Sequence, residues 1–172
     1  MTDRLLDRSA LEAAFTRLAE ELARVGVRAD VYVFGGAAMV LAYGVERATR
    51  DVDAVFEPHG AVLDAAQRVA DREHLPRWWL NEQASVYLSP QVDTSAAPVF
   101  DHPHLRVAAA SPEHMVAMKA LAAREQDLDD LRELVAHLGL RSPKSVIDIV
   151  ARVFPDDPLT DRKRLLIEDL FA

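Results

Sequence analysis

Apolar residues recur at helical intervals through Leu11, Phe15, Leu18, Leu22 and Val25, and this spacing predicts an amphipathic helix ending near Arg24. Ser9-Ala10-Leu11-Glu12 has the spacing of a capping box at its start, and Gly26 is placed to end it. The next block, residues 31–34, is β-branched and aromatic and predicts a strand running into Gly35-Gly36. A short apolar segment, residues 37–42, closed by Tyr43-Gly44, predicts a helix. A second strand is expected over Asp51-Val52-Asp53 and the apolar Ala54, Val55 and Phe56. Pro58-His59-Gly60 breaks the chain, and residues 61–72 read as an amphipathic helix with Val62, Ala65, Ala66 and Val69 on its buried stripe.

Beyond that helix the pattern is less regular. Both tryptophans lie in Leu75-Pro76-Arg77-Trp78-Trp79-Leu80-Asn81-Glu82, which reads most simply as a packed loop whose indoles close the core. A short strand is expected over residues 85–88. The Pro-, Asp- and Ser-rich stretch 90–103 reads as a loop, and residues 105–109 as a further strand. Ser111-Pro112 has the N-cap and N1 residues of a helix. Lys119 sits among apolar neighbours on that helix, so its ammonium needs solvent, a carboxylate or a phosphate. Asp127 and Asp130, three apart, share a face of the next helix, which ends at Gly139. Ser142-Pro143 opens another helix to about Val153, and Thr160 caps a last one to Phe171.

Composition narrows the classes. Half of the 172 residues are hydrophobic, enough for one cored domain with a helical appendage. There is no cysteine, which excludes a disulfide framework, a thiol nucleophile and a thiolate zinc site. The net charge of −8 argues against broad nucleic-acid binding, without excluding a local basic groove. The opening residues lack the apolar core of a signal peptide, and no apolar run approaches the ~18 residues of a membrane span. These features predict a cytoplasmic protein with no membrane association.

The chemistry concentrates between Asp30 and Glu57. Asp51 and Asp53, at i and i+2 on a strand, would point to the same face. Two carboxylates in an apolar strand are costly without a positive partner, and a divalent cation is the simplest one. Mg²⁺ is commonly held by one or two carboxylates plus substrate phosphate oxygens. Gly35-Gly36 lets the backbone approach a ligand, and amides opening the following helix point at an anion. One end of the unit thus offers a phosphate cradle and the other a metal clamp.

Gly35-Gly36, followed after fourteen residues by Asp51-x-Asp53, resembles the core signature of the nucleotidyltransferase superfamily. The run GGAAMVLAYGVERATRDVD is most similar to the AbiEii-like branch, which contains toxins of toxin–antitoxin pairs. The resemblance extends from about Tyr32 to Leu134. It implies an α/β nucleotidyltransferase-like fold, a small mixed sheet flanked by helices. Residues 1–110 would form this core, and residues 111–172 a C-terminal helical bundle packed on it. It also implies Mg²⁺ on Asp51 and Asp53, with nucleotide contacts from Gly35, Gly36 and Arg50. The Trp-Leu-Asn segment would then wall the nucleotide pocket, with Asn81 near the base and stacking as the physical rationale. Lys119, with Arg124, Asp127 and Asp130, matches the branch's K…R…D-x-x-D pattern. There Lys119 would contact phosphate, and an acid would orient it or assist as base.

The implied function is Mg²⁺-dependent transfer of a nucleotidyl group from an NTP to an acceptor, either RNA (including a tRNA end) or protein, within a toxin–antitoxin-type system. The sequence departs from the superfamily pattern at one point. The strand at 105–109 lacks the third carboxylate often found there, and Asp93 and Asp101 lie upstream in loop-like sequence. That departure keeps a second reading in view, a catalytically silent relative that binds nucleotide or a cognate partner protein.

Overall fold

The computed structural model describes residues 5–172. The chain forms two compact units. The first runs to Val86 and resumes over Ala96–Ala110. The second takes Tyr87–Ser95 and Ser111–Ala172.

The first unit is built on a five-stranded mixed sheet. Its central strand β1 (Ala29–Phe34) pairs antiparallel with β2 (Val52–Glu57) and parallel with β5 (Leu105–Ala109). The two-residue strand β3 (Leu80–Asn81) adds parallel to β2, and β4 (Ala97–His102) adds antiparallel to β5. The spatial order is β3-β2-β1-β5-β4. With the helices α1 (Arg8–Arg24), α2 (Gly35–Ala42) and α3 (His59–Glu73), this is the mixed α/β architecture expected of a nucleotidyltransferase-like core.

Alternation along the strands explains the packing. Val31, Val33, Val52, Ala54, Val107 and Ala109 are buried on one face. On the other, Asp30, Tyr32, Asp53, Val55, Glu57, Arg106 and Ala108 are partly or fully exposed. The apolar stripe of α1 packs against α3 and the sheet, with Phe15, Leu18 and Leu22 fully buried. Glu21 is buried on the same helix, where Arg68 (2.8 Å) and Arg72 reach it from α3 and Arg24 from its own last turn (3.4 Å).

Several boundaries differ from the sequence expectations. Asp7, not Ser9, caps α1: its Oδ1 accepts from Ala10 N at 2.8 Å. The isolated bridge between Leu6 and Thr49 holds the chain extended just before it, so the first turn closes two residues early. α2 begins at Gly35 and α3 at His59, each earlier than expected. Asp51 is the last residue before β2 rather than part of it. The segment expected as a strand at 85–88 is a single 3₁₀ turn over Ser85–Tyr87, and its Val86 is 81% exposed. A strand there would have no face to bury. The stretch taken for a loop contains β4, an edge strand. An edge tolerates Pro98 because one side of the strand needs no ladder donor, and the Pro- and Asp-rich composition hid it.

The second unit is helical: α4 (Pro112–Ala122), α5 (Leu128–His137), α6 (Pro143–Val153) and α7 (Asp161–Asp169). α4 packs against α5 and α6, and α6 against α7. Ser111, Ser142 and Thr160 cap their helices as their positions suggest, each accepting from the backbone N–H three residues on. The last helix stops at Asp169, two residues short of the expected Phe171. The Tyr87–Ser95 segment is tied into this unit by Ser89 Oγ, which donates to Val153 O, and by Asp93 Oδ2, which accepts from Ser111 N at 2.7 Å. Among the described residues no helix is long and apolar enough to cross a membrane.

Candidate active site

The β1–α2 turn, the loop entering β2 and strand β3 bring Gly35, Gly36, Asp51, Asp53 and Asn81 together in the first unit. The close approach begins at the glycines. Gly35 has φ +64°, a left-handed conformation that side-chain-bearing residues rarely adopt. A Cβ built on it would lie 2.9 Å from Asp53 Oδ2. A Cβ on Gly36 would lie 2.9 Å from Thr49 Oγ1. Both glycines therefore leave room for the acid-bearing loop to pass directly over the start of α2. The opening amides of that helix have no intrahelical acceptor, so Asp53 is seated beside a set of backbone donors.

The loop itself is pinned on both sides. Thr49 pairs with Leu6 through two backbone hydrogen bonds, 2.7 and 2.9 Å, and its hydroxyl donates to Asp51 O at 3.0 Å. Val52 N donates to Trp79 O at 2.6 Å. Trp79 is fully buried, and its indole N–H donates to Ala66 O in α3 at 3.0 Å. That contact anchors β3, where Asn81 stands opposite Asp53 in the parallel register. Asn81 Nδ2 donates to Asp51 Oδ2 at 2.8 Å. The neighbouring Trp78 is partly exposed, and Arg50 is exposed.

An open cleft of about 1270 Å³ continues along the outer face of the sheet. Tyr32, Val55 and Ala108 line its floor, and Glu57, His59 and Arg106 are among its polar residues. Asp51 and Asp53 are not in its lining, but Asp53 and Val55 share a face of β2 and stand two residues apart, about 7 Å along the strand.

A model of the family described as a nucleotidyltransferase of unknown function (DUF6036) matches residues 10–144. The chain belongs to this family. No curated protein matches the chain, and neither does any solved structure. The DUF6036 match runs from α1 into the start of α6, so it takes in the Gly-Gly turn, both aspartates and the Lys119 helix.

In this DUF6036 nucleotidyltransferase the donor set suits a hard cation. Asp51 and Asp53 offer only carboxylate oxygens, and among the described residues no three His, Asp or Glu side chains gather into a fuller cage. Two carboxylates leave coordination positions for substrate phosphates, the usual arrangement for Mg²⁺.

The other candidate residues form a separate cluster in the helical unit. Lys119 Nζ lies 2.8 Å from both Asp127 Oδ1 and Asp130 Oδ2, and all three side chains are at most 8% exposed. Asp127 also accepts from Arg124 Nε at 2.6 Å, and the Arg124 guanidinium lies over the Tyr87 ring, 5.7 Å from its centroid. Burial pushes the Asp127 carboxyl upward, but the hydrogen bonds and charges of Lys119 and Arg124 outweigh it and hold the group below its ordinary value. Of the partners the sequence left open for Lys119, the structure shows carboxylates. The structure also places the two acids expected to be loop residues. Asp101 is on β4, opposite Arg106, and Asp93 lies 3.4 Å from His114 Nδ1.

Sequence reasoning missed the Tyr43 hydroxyl, which donates to Ala110 O and ties the end of α2 to the end of β5. It also missed the hold of Asn81 on Asp51. Both contacts join positions thirty or more residues apart, and no local pattern marks them.

Proposed function

We propose that this nucleotidyltransferase moves a nucleoside monophosphate from an NTP to an acceptor hydroxyl on RNA or protein, with Mg²⁺ held by Asp51 and Asp53. The observation that carries this reading is the seating of Asp53 against Gly35, where a Cβ would lie 2.9 Å from the carboxylate. That packing brings a carboxylate to the N-terminal end of a helix, where free amides favour anions. A carboxylate and free helix amides meeting at one point is an arrangement that a metal-bound phosphate could bridge.

When bound, the ion would neutralise charge on the triphosphate and on the leaving pyrophosphate. The chain's own residues would do the rest. Amides at the Gly35-Gly36 turn would orient phosphate oxygens, and exposed Arg50 would add positive charge. The acceptor oxygen would bond to the α-phosphorus as the bond to pyrophosphate breaks, with the acceptor proton passing to water. Lys119 already meets two carboxylates, so the proposed chemistry rests on residues of the first unit. The AbiEii-like sequence pattern supports a place in a toxin–antitoxin-type system, with a cognate partner protein.

Strand β5 carries no carboxylate, which favours a second reading, a silent relative that binds nucleotide without turning it over. One experiment separates the two. Purified protein is incubated with Mg²⁺, labelled NTPs and total cellular RNA and protein, alongside Asp51→Asn. Label moving to a macromolecule, and lost in Asp51→Asn, supports transfer and reveals the acceptor class. Saturable NTP binding that needs Asp51, without transfer, supports the silent relative.

A further inference from the structure

We propose that Asn81 is a positioning residue for Asp51, holding that carboxylate ready for the metal rather than contacting nucleotide; the inference rests on the metal-dependent reading above. The side chain is locked in one orientation by the backbone around it. Gln83 N can only donate, so the group 3.0 Å away must be the Asn81 carbonyl oxygen. Trp78 O can only accept, so the group 3.0 Å from it must be the Asn81 amide nitrogen. With both ends assigned, the NH₂ has to face Asp51 Oδ2, 2.8 Å away. Asn81 is 8% exposed and stands beside Asp53 in the sheet register, so the carboxamide has little freedom to do anything else.

The arrangement suits an amide and no other common side chain. A carboxylate could accept from Gln83 N, but it would set an oxygen against both Trp78 O and Asp51 Oδ2. With Oδ2 occupied by Asn81, Asp51 would offer Oδ1 to a cation. Strand β3 exists for two residues only, and its anchor is the buried indole of Trp79. The tryptophan segment thereby sets the position of a carboxylate in the loop just before β2. Partners of this kind, one bond removed from the ion, typically change metal affinity by about 10–100-fold when removed.

The test measures Mn²⁺ affinity by electron paramagnetic resonance, without nucleotide, on wild type, Asp51→Asn, Asn81→Ala and the near-isosteric Asn81→Leu, after circular dichroism confirms folding. The expected result is loss of binding in Asp51→Asn and about 10–100-fold weaker binding in both Asn81 variants. In transfer assays the metal concentration needed for half-maximal rate should rise, while KM for NTP at saturating metal stays within about twofold. Wild-type Mn²⁺ affinity in folded Asn81→Leu, with a raised KM for NTP, overturns the inference and makes Asn81 a nucleotide contact. Should wild type bind no Mn²⁺ alone, the series is repeated with a saturating non-hydrolysable NTP analogue; if wild type and Asp51→Asn then bind Mn²⁺ equally or not at all, the metal-dependent reading falls and this inference falls with it. Should both Asn81 variants unfold, the Asn81 side-chain amide signal of the wild-type protein decides. It should shift in Asp51→Asn and broaden with Mn²⁺, and a signal indifferent to both overturns the proposal.

Discussion

Gly35 carries two independent demands at once, a positive φ and a contact distance that excludes a Cβ. Gly35→Ala should cost at least about 1–2 kcal/mol from the left-handed backbone alone. Any further loss comes from displacing Asp53, so urea unfolding should show the backbone cost and Mn²⁺ titration the displacement. Lys119 poses the opposite problem, a buried cation whose worth depends on its partners. Lys119→Met removes the cation shared by two buried carboxylates, leaving Asp127 with Arg124, and should destabilise the protein by up to about 3–5 kcal/mol. Combining it with Asp127→Asn and Asp130→Asn should recover part of that loss in the same unfolding measurement. A Lys119→Met protein as stable as wild type would show that the cluster contributes nothing net.

At the scale of elements, the shortest strand matters most to the site. β3 has two residues, so its own ladder bonds to β2 cannot specify its place. Trp79 does so, filling the space beneath the sheet against Phe15 and donating to α3. Trp79→Phe should cost about 1–3 kcal/mol, because the buried indole hydrogen bond to Ala66 O is lost and the smaller ring underfills its site. It should also weaken Mn²⁺ binding, since Asn81 and Asp51 hang from the same segment. Thermal melting and Mn²⁺ titration on one sample check both. β4 teaches a different lesson about elements. Its Pro98, Asp101 and exposed positions argue locally for a loop, and only pairing with β5 makes it a strand.

For the whole molecule the clearest global variable is pH. Asp127 is the group whose folded-state value is held below its ordinary 3.8. A depressed carboxyl contributes stability above its unfolded value and loses it as pH falls through the folded value. Wild-type stability should therefore be steady from neutral pH to about 4 and decline below it, while Asp127→Asn should show a shallower acid decline from a lower plateau. Denaturant midpoints measured from pH 6 to pH 3 check the slope. The chain also passes between its two units at three places, near residues 86, 95 and 110. Ser89 and Asp93 belong to the helical unit although they lie between strands of the sheet unit in sequence.

Local pattern was enough for much of this protein. Helical periodicity marked α1 and the stripe of α3, Ser-Pro pairs marked the starts of α4 and α6, and β-branched runs marked β1 and β5. These signals act within a few residues, through caps and side-chain period, and the chain writes them directly. The Gly-Gly turn and Asp51-x-Asp53 were legible for a similar reason, since backbone freedom and carboxylate spacing are properties of short segments. What no short segment holds is pairing across distance. The cap at Asp7 depended on Leu6 meeting Thr49, β4 on meeting β5, the fate of Lys119 on two acids beyond the end of its helix, and the orientation of Asp51 on Asn81, thirty residues on. Each is a choice among several chemically acceptable partners, and burial made the choice by bringing one of them within hydrogen-bond reach.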